Sequence, residues 1–168
     1  LIPRSADVSL GYLPFTANNI LQQAFKFLGE RYGWGHDYNG RDCTGFISEI
    51  FRSFGFLMPR NSGQQGKGVY GDNIRFDQNS SAQDKLSAIQ KARVGDLFYF
   101  PGHVSLYLGM LDNQPFMIHD VNTLIYPLEN GLLYRGSLNG VVVTPMLPLN
   151  ANAEQSYLDA LYAIKSLR

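Results

Sequence analysis

One short stretch constrains the fold of this chain more than any other: Arg41-Asp42-Cys43-Thr44-Gly45-Phe46-Ile47-Ser48-Glu49-Ile50-Phe51. Phe46, Ile47, Ile50, Phe51 and Phe54 recur at helical spacing, which predicts a helix with one apolar face turned into a core. Asp42 suits the N-cap, because its carboxylate can accept from an orphan amide of the first turn. Cys43, the only cysteine in the chain, then takes the first helical position. Free N–H groups and the positive end of the helix dipole favour a thiolate there. A core-anchored helix offering one thiol at its N-terminus is how cysteine hydrolases hold their nucleophile. A free cysteine can also be a small buried hydrophobe. The Asp before Cys43 and the Thr-Gly pair after it fit an open helix terminus better.

At 168 residues the chain suits one domain with a full-sized core. Lys plus Arg and Asp plus Glu are both 14, so nothing in the charge asks for nucleic acid or an anionic membrane as partner. A lone cysteine excludes an internal disulfide and a multi-cysteine metal site. No apolar run is long enough to predict a membrane span. The chain starts Leu1-Ile2-Pro3-Arg4-Ser5, without an initiator Met or the pattern of a signal peptide, which points to a processed chain or a fragment.

Residues 1–15 read as an extended lead-in or linker, and 16–168 as the domain. Thr16 caps a helix expected over 17–30. Residues 31–40 form a glycine-rich loop with the only tryptophan, Trp34, fitting either the wall of a cleft or a loop pinned to the core. A helix stop and polar loop follow over 55–65, then a surface excursion over 66–79. A short helix is expected over 81–93, with Leu86 and Ile89 inward and Lys85, Lys91 and Arg93 outward. Strands are expected over 96–100, 103–108, 116–121 and 141–145, with the second and third paired as a hairpin through the Asp112-Asn113 turn. A closing helix is expected over about 154–166. Helices first and an antiparallel sheet second is an α+β plan.

A reactive Cys43 needs a base, and there are three histidines to supply one. His103 opens one expected strand and His119 lies near the end of its neighbour, so the two imidazoles can meet at one end of the sheet. One would take the thiol proton and the other would orient it. His36 sits in a loop well before the sheet and is left out. The close ligand spacings typical of zinc are not present, so no metal or other cofactor is expected.

These residues resemble the NlpC/p60 cell-wall cysteine peptidases. The resemblance rests on Tyr32-Gly33-Trp34-Gly35, Asp42-Cys43-Thr44-Gly45, Pro59-Arg60-Asn61-Ser62 with Gln64-Gln65, Gly95-Asp96-Leu97 with Phe100, and residues 102–109. It implies a papain-like α+β fold, N-terminal helices packed on an antiparallel sheet. It also implies cleavage of peptidoglycan stem peptides or muropeptides, usually between D-γ-glutamate and a diamino acid. Cys43 is the implied nucleophile, His103 the base and His119 the orienting residue, while Tyr32, Trp34, Asp42, Thr44, Arg60 and Ser62 line the substrate side. The cell envelope is the implied location, with cytoplasmic recycling as the other possibility. Residues 11–16 look like the lead into catalytic domains that follow SH3-type modules, which implies an upstream targeting domain. Two departures stand out: Thr44 replaces the usual serine, and His36-Asp37 stands where a glycine is usual. Residues 66–93 are also longer than a minimal member needs and would cover part of the site. The other functions open to such a chain are a wall-binding module without turnover and an amidase or acyltransferase relative.

Overall fold

Thr16 accepts from the Asn19 amide and starts α1 (Ala17–Phe25), which buries Ile20 and Ala24. This helix is shorter than expected. Residues 26–29 turn away so that the Gly29 amide can reach the Val141 carbonyl at 2.9 Å. The computed structural model describes Pro3, Ala6 and residues 8–168, so the lead-in expected over 1–15 falls partly on Leu1, Ile2, Arg4, Ser5 and Asp7, outside the described residues. Its last part is packed rather than free: the Phe15 ring lies 5.0–5.9 Å from those of Phe51, Phe54 and Phe56.

The predicted cysteine helix is α2 (Cys43–Arg52), and Asp42 caps it by accepting from the Gly45 amide at 2.8 Å. Phe46, Ile47, Ile50 and Phe51 form its buried face. The polar loop expected over 55–65 gives way to another helix, α3 (Ser62–Lys67). Arg75 holds the end of α3, donating to the carbonyls of Gly66, Lys67 and Gly68. That arginine belongs to β1 (Asp72–Arg75), a strand inside the segment expected as a surface excursion. α4 (Ala82–Lys91) follows, with a capping box between Ser81 and Asp84. Lys85, expected outward, is buried, and its Nζ donates to the Leu158 and Asp159 carbonyls at 3.1 and 2.6 Å; Leu86, expected inward, is half-buried.

β2 (Leu97–Phe100), β3 (His103–Leu111), β4 (Gln114–Pro127) and β5 (Leu133–Pro145) then run as an antiparallel meander. Asp112 and Asn113 both have positive φ, +50° and +60°, as a two-residue hairpin turn requires. The closing helix expected over about 154–166 is only one turn, α5 (Tyr157–Ala160), and the chain continues as β6 (Ala163–Ser166). β6 inserts between β1 and β2, giving the order β1-β6-β2-β3-β4-β5. A short apolar run does not distinguish helix from strand; pairing on both sides decides it here. Lys165, on this strand, is fully buried, with its Nζ donating to the carbonyls of Gly68 and Tyr70 at 2.8 Å and to Asn73 Oδ1 at 2.5 Å.

Strand alternation divides the interior into two cores. Leu97, Tyr99, Val104, Leu106 and Ile118 face α1 and α2, whereas Phe98, Phe100, Tyr107 and Met117 face α4 and α5. The α+β plan is the one expected, with α4, expected over 81–93, and the short α5 covering the second face. Among the described residues no helix is long and apolar enough to cross a membrane.

Candidate active site

Cys43 stands at the first position of α2, 8% exposed, on the wall of a cleft of about 360 Å³. Burial pushes its thiol up to about 11, against the pull of the Val104 and Thr44 backbone amides, while Asp42 and Asp120 add to the rise. The thiolate expected from the helix terminus is therefore not the resting form. Desolvation of a charge outweighs the dipole here. Val104, whose amide favours the Cys43 thiolate, directly follows His103 at the start of β3.

The two strand histidines meet. His103 Nε2 lies 2.9 Å from His119 Nδ1, across the β3–β4 pair. Burial lowers His103 to about 4, and burial together with His103 holds His119 well below its usual value. The edge of the Tyr157 ring packs against both imidazoles, and Phe100 stacks on His103. Neutral rings in apolar surroundings leave His103 Nδ1 as the nitrogen available to a proton from outside the pair.

Six residues expected on the substrate side, Tyr32, Trp34, Asp42, Thr44, Arg60 and Ser62, all line the Cys43 cleft. Arg60 grips Asp42 with both nitrogens, Nη2 to Oδ2 at 2.5 Å and Nη1 to Oδ1 at 3.1 Å, and Nη1 also reaches Thr44 Oγ1 at 2.6 Å. Thr44 donates to Asp42 Oδ1 at 2.9 Å, and the Gly35 amide donates to Oδ2 at 3.3 Å. Burial opposes the Asp42 charge, but the hydrogen bonds from Arg60, Gly45 and Thr44 prevail and hold its pKa below the usual value. Its carboxylate is thus already engaged by Arg60, Thr44 and the Gly45 amide. Tyr32 is half-buried, and burial lifts its phenol to about 12, with Cys43 and Asp42 adding to the rise.

Trp34 is 74% exposed at the rim. The loop carrying it is held by the Gly33 amide on the Arg41 carbonyl and bends through positive φ at Gly35, His36, Tyr38 and Asn39. Gly33 itself packs so closely on Asp37 and Gly40 backbone that a Cβ there has no room. His36, left out of the catalytic set, lies instead against Gly45 on the other side of the helix start.

Sequence reasoning missed two buried residues. Thr144 Oγ1 stands 3.0 Å from His119 Nε2. Asp120, next to His119, is 1% exposed, and neither of its carboxyl oxygens has a hydrogen bond among the described residues. Alternation from Ile118 places Asp120 on the α2 side, so its burial was open to inference; Thr144 looked like any strand threonine. Among the described residues no group of three or more His, Cys, Asp or Glu side chains could hold a metal ion.

Comparison with known proteins bears on the fold and the family. The NlpC/P60 family pattern matches residues 29–132. A gamma-D-glutamyl-L-lysine dipeptidyl-peptidase of Bacillus subtilis (strain 168) is 37% identical over 98 residues, covering 56% of this chain and 30% of that protein. The chain thus spans under a third of that relative's length. An NlpC/P60 endopeptidase from Photobacterium damselae subsp. piscicida has the same fold, with a TM-score of 0.69 at 19% identity over 88% of this chain and 38% of that one. RipD of Mycobacterium tuberculosis, a non-catalytic NlpC/p60 domain protein adapted to peptidoglycan binding, has it too, with a TM-score of 0.54 at 19% identity over 90% of this chain and 97% of its own. With the family pattern matching more than half of its length, this chain belongs to the NlpC/P60 family.

Proposed function

We propose that residues 16–168 form a cysteine endopeptidase that hydrolyses peptidoglycan stem peptides in the cell envelope, at the bond between D-γ-glutamate and a diamino acid. The observation that carries this reading is the His103–His119 contact at 2.9 Å, at the start of the strand whose Val104 amide favours the Cys43 thiolate. The name of the Bacillus subtilis relative supports the choice of bond.

Both partners begin neutral. His103 takes the thiol proton as Sγ attacks the peptide carbonyl, so the charged pair forms only with substrate in the cleft. Amides of the α2 N-terminus stabilise the oxyanion. His103 then gives its proton to the departing amine, and water, deprotonated by the same ring, releases the acyl group. His119 orients His103. Arg60, Thr44 and Asp42 make a preorganised polar wall for the acyl side.

The test is mass spectrometry of defined muropeptides after incubation with the wild type and with Cys43→Ala. Cleavage at the γ-glutamyl bond by the wild type alone is expected. Equal cleavage by both would remove cysteine chemistry; binding without cleavage by either would leave a wall-binding module, as RipD is described to be.

A further inference from the structure

Thr144 reaches the histidine pair from β5. In the β4–β5 register His119 lies opposite Val142 and Met117 opposite Thr144, so the threonine is the diagonal neighbour of His119 on the same face. Its Oγ1 sits 3.0 Å from His119 Nε2. His119 is fully buried and Thr144 nearly so, with Tyr157 packed edge-on against the His119 ring. The hydroxyl is thus the polar atom that meets the far nitrogen of His119 in an otherwise apolar setting.

Each contact in this row holds one proton, which fixes a logic of tautomers. For neutral His103 to accept at Nδ1, its own proton must lie on Nε2, and His119 Nδ1 must accept it. Neutral His119 must then carry its proton on Nε2, and that N–H needs an acceptor. We infer that Thr144 is a positioning residue: its hydroxyl oxygen accepts from His119 Nε2–H and thereby selects the tautomers that leave His103 Nδ1 free to take a proton. This rests on the peptidase reading above. Without the hydroxyl, Nε2–H would be a buried donor with no partner. The rings would shift towards the reverse order, in which His103 carries its proton on Nδ1 and cannot act as a base there.

The test uses enzyme labelled with ¹⁵N in its histidine rings, as the wild type, Thr144→Val and Thr144→Ser. Valine keeps the β-branched shape that suits β5 and removes only the hydroxyl; Thr144→Ala serves as a second hydroxyl-free variant should valine disturb folding. At neutral pH, wild type and Thr144→Ser should show both strand histidines protonated at Nε2. The hydroxyl-free variants should show protonation moving to Nδ1 in both rings. On a defined stem peptide, kcat should fall about ten- to a hundredfold without the hydroxyl, KM should hold, and serine should restore most of the rate. Unchanged ring-nitrogen signals in the hydroxyl-free variants overturn the inference, whatever happens to kcat. If the wild type cleaves no stem peptide the peptidase reading fails, but the nitrogen spectra still decide what Thr144 does.

Discussion

Asp120→Asn offers a quantitative test of the interior behind Cys43. Burial lifts the Asp120 carboxyl to about 7, with the charges of Glu30 and Asp42 adding to the rise and Arg41 opposing it. In the unfolded chain the same group titrates near about 3.9. Between these values the folded state holds a proton that the unfolded state lacks, so stability falls as pH rises through that window. Three units at about 1.36 kcal/mol each give a penalty of roughly 4 kcal/mol, fully developed above the folded value. Relaxation and water entry reduce such figures, so the expected range is about 2–4 kcal/mol. Asparagine does not titrate. Urea unfolding from pH 4 to 9 should show the variant gaining on the wild type as pH rises, with the gain levelling off above pH 7–8. The Asp120 charge also raises the Cys43 thiol, so iodoacetamide should modify Cys43 at lower pH in the variant. Stability curves that run parallel across the range would refute a buried, unpaired carboxyl at this position.

Three further outcomes follow from the site. His103→Ala should lower kcat by about 10²–10⁴ on a stem peptide, and His119→Gln by less, because an amide oxygen can still accept from the His103 ring; steady-state kinetics separate them. Arg60→Met should destabilise the fold by about 1–2 kcal/mol in urea at neutral pH, discounted because Arg60 is half-exposed while Asp42 is buried. Since the folded Asp42 pKa is depressed, that difference is present above the unfolded value and is lost as pH falls through the folded one. Acetylating the substrate's N-terminal amine should change kcat/KM by less than about fivefold, because Arg60 already engages Asp42; a larger loss would mean that a substrate ammonium displaces the arginine.

What could be read from the sequence was local. The Asp42 cap, the apolar face of α2 and the Asp112-Asn113 hairpin each depend on residues within a few positions of one another. The meeting of His103 and His119 follows from one hairpin register, so it too was within reach. What escaped depends on distant partners. Residues 163–166 became a strand because β1 and β2 lie on either side, which their own apolar spacing does not encode. Lys85 and Lys165 are buried because carbonyls from remote segments receive their ammonium groups, and a lysine in isolation reads as surface. Asp42 was legible as a cap but not as the partner of Arg60, whose separation of 18 residues leaves the encounter to the fold.

The placement of β6 has a consequence in time. The strand follows every other element in sequence, yet it must enter between two that precede it. Until it does, β1 lacks its partner and β2 is an open edge. The end of α3 and the turn after it are tied down by Arg75 of β1 and by Lys165 of β6 itself. Arg60 is joined to Asp42 and Thr44 at the start of the cysteine helix independently of β6, so what waits for the strand is β1 and the turn after α3. The sheet is joined into one as a late step, when β6 is seated between β1 and β2.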